Sequence, residues 1–275
     1  MKIGIRGHDL PGAPFVETED LVKELVELDI DALQLVYKKA FKDFDMNPHT
    51  LLKLADELKN ANKEVAMVGA YFNMIHPDLN KRDEGKEYFK WCMETAFIYD
   101  CHVVGSETGS ANGDKWTFNP VNHTEESYET VLKTVKELKK YGHTFKCRPI
   151  IEGAYAHTIY NPDLLKKLID ETEISDVTFD IYNYLNEDNY KDRDKIFEDG
   201  VKKLKDYIKV FHIKDFNVID GKLVQCAISD GIIDWKKYLP IIKENCPDAY
   251  LVLEGVTGKD NIVKSVNYLR RIINE

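Results

Sequence analysis

Eight short apolar runs punctuate the chain: KIGIR (2–6), ALQLVY (32–37), VAMVGAY (65–71), HVVGSE (102–107), PIIEG (149–153), VTFDI (177–181), KVFHIK (209–214) and YLVLEG (250–255). Each has the length and the β-branched content of a buried strand, and several end on a polar or charged residue followed by glycine or asparagine.

Between these runs the apolar period changes from continuous to three-and-four. Leu21, Leu25 and Leu28 share one helical face, as do Leu51, Leu54 and Leu58; Phe89, Cys92 and Ala96; Tyr128, Val131, Val135 and Leu138; Leu164 and Leu168; Ile196, Gly200 and Leu204; and Ile262, Val266 and Leu269. Start signals support these helices. Asn47-Pro48 and Asn161-Pro162 each place a capping amide before a proline at the first helical position, and Thr124 or Ser127 can cap the fourth pattern. The stretch FNVIDGKLVQCAISDG departs from the rule, because Asp220-Gly221 predicts a hairpin at about 216–226 before a helix that starts near Asp234.

Strand and helix therefore alternate through 275 residues without a linker, a low-complexity segment or a shift in composition. This predicts α/β architecture and a single (β/α)8 TIM barrel domain over 1–275, with the hairpin inserted in its seventh βα loop. An open doubly wound sheet is the rival, but GIRGHDLPG lacks the G-x-G-x-x-G of its usual first turn. An apolar content of 43% is enough for a large core.

Charge and cysteine narrow the function classes. With 38 Lys+Arg against 48 Asp+Glu, the net charge of −10 argues against a nucleic-acid or anionic-membrane partner. The five cysteines make neither a C-x-x-C pair nor a zinc-spaced cluster, which predicts a reduced, cytoplasmic protein without a disulfide framework. The N-terminal run is too short for a signal segment, and no apolar stretch is long enough to span a bilayer. Oligomeric state is not legible in the sequence.

In a barrel the active site is built where strands end and βα loops begin. Strand four ends at Glu107, strand five at Glu152, strand six at Asp180, strand seven at His212 with Lys214 and Asp215 behind it, and strand eight at Glu254. Three carboxylates converging at about 4 Å repel by about 4 kcal/mol per pair at an effective dielectric near 20, on the order of 12 kcal/mol in all. A cation beside a neutral imidazole relieves this better than protons do. Three oxygen donors and one nitrogen suit one divalent ion, Mn2+ first, with Mg2+, Co2+ or Zn2+ as alternatives. Glu152, Asp180, His212 and Glu254 are thus the expected metal ligands, and Glu152 and Glu254 the expected bases for proton transfer next to a carbonyl that the ion polarises.

Each residue also has a plainer reading. A lone Glu after an apolar run is commonly the first loop residue, Asp180 a turn acid, and His212 a core histidine bonded to a carbonyl. Glu107 either meets substrate or caps the following turn, and Lys214 either meets substrate or pairs with Asp215 in support of His212. Asn183 lies just after Asp180, and His8, His76 and Trp116 fall in early βα loops, as substrate-wall candidates or solvated loop residues. Four ligand types on four successive strands are what favour the site.

In order and spacing, IIEG with Glu152, TFDIYN with Asp180, VFHIKDF with His212, Lys214 and Asp215, SDGIIDW at 229–235 and LVLEG with Glu254 resemble the xylose isomerase-like TIM barrel superfamily of sugar isomerases and epimerases, over nearly the whole chain. The resemblance implies that Glu152, Asp180, His212 and Glu254 bind one divalent cation and that the two glutamates transfer protons. The frequent D-x-x-H of strand six reads Asp180-x-x-Asn183 here. The arginine that ketose 3-epimerases carry beyond the strand-seven histidine is absent from HIKDFNVID, and the usual G-x-G reads Ser229-Asp230-Gly231. The DNA-repair branch carries extra histidines, whereas GAYFNM and GSETGS have none. The expected function is a metal-dependent isomerase or epimerase of a small carbohydrate or keto-polyol working through an enediolate. An inosose-type dehydratase and a catalytically silent sugar-binding barrel are the alternatives.

Overall fold

The computed structural model describes residues 1–275. Its strands are β1 (Ile3–Arg6), β2 (Ala32–Leu35), β3 (Glu64–Gly69), β4 (Val103–Glu107), β5 (Arg148–Glu152), β6 (Asp176–Phe179), β7 (Ile208–Ile213), β8 (Asp215–Ile219), β9 (Lys222–Cys226) and β10 (Tyr250–Leu253). All but β8 and β9 form a closed barrel in the order β1-β10-β7-β6-β5-β4-β3-β2, while β8 and β9 pair with each other. The longer helices are α1 (Thr18–Glu27), α3 (Pro48–Asn60), α4 (Leu79–Thr95), α5 (Glu125–Thr144), α6 (Pro162–Thr172), α7 (Arg193–Leu204), α8 (Trp235–Asn245) and α9 (Lys259–Asn274), with a single-turn α2 (Tyr37–Ala40) after β2. This is the (β/α)8 barrel that the alternating pattern predicts. No helix is long and apolar enough to cross a membrane.

The helices start where their caps are. Asn47 and Asn161 accept hydrogen bonds from Thr50 N and Leu164 N ahead of Pro48 and Pro162, Thr124 accepts from Ser127 N, and Asp234 accepts from Lys237 N. Two apolar stripes keep Leu168, Gly200 and Leu204 inward as the sequence pattern places them, but in each the first position lies one residue further on. Leu165 rather than Leu164, and Phe197 rather than Ile196, take the buried positions. In both places neighbouring residues are apolar, so period alone leaves the phase open by one residue. The end of ALQLVY also turns helical: Ala40 N donates to Val36 O at 2.8 Å, with Tyr37 fully buried.

Contacts group the chain into two compact units. The first comprises Met1–Met67, Ile98–Cys101 and Val210–Glu275. In it β1 pairs in parallel with β10 and β2, and β10 with β7, setting Arg6 opposite Gln34 and Val252 opposite His212. Strands enclosed on both faces explain the nearly unbroken apolar runs. The β8–β9 hairpin turns through Asp220 and Gly221, both with positive φ (50° and 78°), the requirement of a primed two-residue turn. Behind it Asp215, fully buried, accepts amide hydrogens from Phe216, Ser229, Gly231 and Ile233 at 2.9–3.2 Å. A Cβ on Gly231 would lie 2.0 Å from Asp215 Oδ1, so only glycine lets the loop wrap this carboxylate so closely.

The second unit comprises Val68–Phe97 and His102–Lys209. Its ladders set Glu107 opposite Glu152 and Glu152 opposite Thr178. Buried amides organise the loops after its strands. Asn73 Nδ2 donates to Ser110 O and Gly113 O (2.6 and 2.8 Å), and Asn122 Nδ2 donates to Ala156 O at 2.7 Å while its Oδ1 accepts from Ala111 N at 2.8 Å.

Asp215→Ala strands four buried amide donors. We expect it to lower the unfolding free energy by about 3 kcal/mol in urea titration, against less than about 1 kcal/mol for the exposed Asp220→Ala. Equal losses for the two would remove Asp215 from its organising role.

Candidate active site

One ligand atom from each of Glu152, Asp180, His212 and Glu254 lies within 4.8 Å of every other. Three carboxylates and an imidazole gathered in this way are a donor set that could hold a metal ion. Glu152, Asp180 and His212 are buried, and the Glu254 side chain is 12% exposed.

The His212 ring shows what the donor set requires. Its Nε2 stands 2.7 Å from the fully buried Gln34 Oε1, an acceptor, so the proton sits on Nε2. Nδ1 then turns its lone pair toward Glu254 Oε2 at 2.6 Å. A lone pair and a carboxylate oxygen this close need a shared positive centre, either a proton or a cation. With Glu152 and Asp180 oxygens also within reach, a divalent ion fits the set.

Glu254 is paired with two cations. Arg6 Nη1 and Lys214 Nζ each lie 2.7 Å from its Oε1. Burial opposes its ionisation, but the Lys214 and Arg6 cations hold its carboxyl well below the usual carboxylate range. Arg6 also forks onto Asp9 at 2.7 and 2.9 Å, and Asp9 Oδ2 accepts from Gly255 N at 2.9 Å. Gly255 has φ of +73°, and a Cβ there would lie 2.2 Å from Gln225 Oε1. The glycine after the acid therefore lets the backbone turn its amide onto Asp9.

Within its own unit Glu152 accepts a hydrogen bond from a side-chain amide. Asn183 Nδ2 donates to Glu152 Oε1 at 2.7 Å and, more weakly, to Glu107 Oε1 at 3.3 Å, while Asn183 N donates to Asp180 Oδ1 at 3.2 Å. Tyr184 reports the local potential: burial raises its phenol well above the usual value, and Glu152 and Asp180 push it further. Its hydroxyl lies where a Cβ on Gly153 would come within 2.5 Å.

The remaining sequence candidates fall in distinct places. Glu107 lies 3.8 Å from Nδ1 of the buried His157, and Trp116 meets the His157 ring edge-on at 5.4 Å. Lys214 pairs with Glu254, and Asp215 turns to the loop amides. His76 Nδ1 accepts from Asp78 N at 3.0 Å and its Nε2 lies 3.4 Å from Asp114, so it braces its own loop. His8 sits by Arg6 and Asp9, its pKa brought down from 6.5 to about 4 by burial first and then by Arg6, with Asp9 opposing. Gln34, Arg6, Asp9 and His157 escape a reading that looks for ligands and bases. Their signals are an amide inside an apolar strand, an arginine at the end of the first strand with an acid three residues on, and a histidine five residues after Glu152.

Fold and site together define a (β/α)8 barrel with a buried Glu-Asp-His-Glu centre able to hold a metal. The sequence model of the family described as xylose isomerase-like TIM barrel matches residues 22–272, and the chain belongs to that family. Its fold is shared with the 3-keto-D-glucoside 4-epimerase YcjR from E. coli (14% identity, 98% of this chain and 99% of that one, TM-score 0.76). It is shared equally with the probable 3-DHS dehydratase AsbF from Bacillus anthracis (12% identity, 98% and 99%, TM-score 0.76). A xylose isomerase-like TIM barrel protein from Mycobacterium smegmatis, solved in complex with magnesium, gives 11% identity over 99% and 96%, with a TM-score of 0.73. No curated protein matches by sequence.

His8 yields a pH prediction. The unfolded chain takes up its proton near pH 6.5 and the folded protein resists until about 4, so His8 costs stability as pH falls through that window. Allowing for its partial exposure, the loss is about 2 kcal/mol at most. Urea titrations with chelator at pH 7 and pH 5 should show a smaller acid loss for His8→Gln than for the native chain; parallel losses would contradict the assignment.

Proposed function

We propose that this protein is a divalent-metal-dependent isomerase or epimerase of a small sugar or keto-polyol. The supporting observation is the convergence of Glu152, Asp180, His212 and Glu254 ligand atoms within 4.8 Å, with His212 Nδ1 facing a carboxylate oxygen. These four residues would hold Mn2+, Mg2+, Co2+ or Zn2+. When bound, the ion supplies positive charge that polarises a substrate carbonyl and steadies the negative charge left by deprotonation.

The chain's own residues do the rest. Glu152 acts as the base, its Oε1 oriented by the Asn183 amide, and takes the proton from the carbon beside the carbonyl. The electron pair left behind moves onto the carbonyl oxygen, giving an enediolate. Returning the proton to the adjacent carbon, while the hydroxyl proton of the carbon that becomes the carbonyl passes to the former carbonyl oxygen, exchanges aldose and ketose; delivering one to the opposite face of the original carbon, the role open to Glu254, gives an epimer. The acids of the site outnumber Arg6 and Lys214, which favours a neutral carbohydrate over an anionic substrate. Glu107, Asn183, Lys214, His8, His76 and Trp116 are the candidate substrate contacts. Among them Trp116, with the neighbouring His157, offers an apolar face and an edge for a sugar ring. We also propose that the whole chain acts as one barrel domain with the hairpin at about 216–226 as an insertion in its seventh βα loop.

One observation favours a second reading. Arg6 and Lys214 both grip Glu254 Oε1, so this carboxylate is a reluctant proton carrier and Glu152 is left as the principal base. One-base chemistry then includes loss of a β-hydroxyl from the same enediolate, a dehydration.

A panel of keto-sugars and keto-polyols, offered to chelator-treated protein in D2O before and after Mn2+ addition, tests both. The expected result is metal-dependent turnover with solvent deuterium at the substrate α-carbon, and a drop of at least about 100-fold for Glu152→Gln. Product mass separates the readings, since only the dehydratase loses water. Undiminished turnover by Glu152→Gln would sink the assignment.

A further inference from the structure

Gln34 lies in the middle of an otherwise apolar strand, on β2, and is fully buried. A long amide at such a place costs free energy unless its polar atoms are bonded, and a strand of this kind would accept leucine or methionine without that cost. What its Oε1 does is receive the Nε2–H of His212 at 2.7 Å. This bond has a consequence at the opposite side of the ring. A neutral imidazole carries one proton; with Nε2 donating, Nδ1 must present its lone pair, and Nδ1 is the atom that faces Glu254 Oε2. The register supports the arrangement within one unit: Gln34 stands opposite Arg6 on β1, and Arg6 pairs with the same Glu254.

We infer that Gln34 is a positioning residue of the metal centre, which fixes the His212 tautomer and ring angle so that Nδ1 is the ligating atom. The inference rests on the metal-dependent reading above. A ring freed from Gln34 would populate the other tautomer and put a proton on Nδ1, where a cation has to bind. Gln34 acts on the centre by way of the His212 ring.

Metal affinity is the direct readout. Titration of chelator-treated native protein with Mn2+, followed by electron paramagnetic resonance, gives a reference Kd; Gln34→Leu and the more flexible Gln34→Met should weaken it by about 10- to 100-fold. Gln34→Glu keeps an acceptor for Nε2–H and should restore binding toward the native value, which a residue that merely fills space would not show. Thermal unfolding of each metal-free variant checks that the barrel is intact, and the methionine variant stands in should the leucine variant fail to fold. In the Zn2+-loaded native protein, 1H–15N spectra of the His212 ring should show a protonated Nε2 and an unprotonated, ligated Nδ1. Unchanged Mn2+ affinity in both apolar variants, no recovery in Gln34→Glu, or ligation through Nε2 would overturn the inference and leave the metal-dependent function standing. A native protein that binds no Mn2+ would overturn both.

Discussion

Like charges do not gather in a protein interior without something to hold them, and the ends of the strands in this barrel are arranged around that constraint. The Glu254 carboxylate is the clearest case. It is almost enclosed, and desolvation alone would favour its neutral form, yet Arg6 and Lys214 bracket one oxygen while His212 addresses the other. Burial of an acid in this way is tolerable where positive partners reach it, and two of them reach Oε1. On the Glu152 side the solution is different in kind: a neutral amide, Asn183, spans two carboxylates. The two glutamates the sequence presents as a matched pair therefore differ in the partners that reach them, two cations at Glu254 Oε1 and an amide at Glu152 Oε1.

Much of the barrel was legible from period alone, because buried parallel strands and amphipathic helices leave contrasting apolar patterns and asparagine-proline caps mark where helices begin. Phase was less legible. Where two apolar residues adjoin, as at Leu164-Leu165 and Ile196-Phe197, the choice of which one turns inward is made by packing against the rest of the unit. Tyr37 shows the same limit, since an aromatic at the end of an apolar run extends a strand or starts a helical turn equally well on propensity.

The four candidate ligands could be read because carboxylates and imidazoles are conspicuous at the ends of apolar runs. The residues around them could not, for a physical reason. Arg6, Asp9 and Gln34 act by proximity to groups more than two hundred or nearly two hundred positions away in sequence, separations of 248, 246 and 178 residues for the Arg6–Glu254, Asp9–Gly255 and Gln34–His212 bonds. No local pattern encodes such contacts. Gln34 left one trace, its polarity inside an apolar strand, and that trace has meaning only once its neighbour across the barrel wall is known. His157 is similar: the turn after β5 that carries it is built by its own backbone bond to Ala154 O, while its significance comes from Glu107 and Trp116.

The bond from Gly255 to Asp9 joins the loop after the first strand to the loop after the last. With Arg6 forked onto the same Asp9, these two loops form a single rigid piece, and Gln225 of the hairpin closes against it at Gly255. The pairing of β1 with β10 is therefore fastened twice, by the parallel ladder itself and by this side-chain bridge between the loops that follow the two strands.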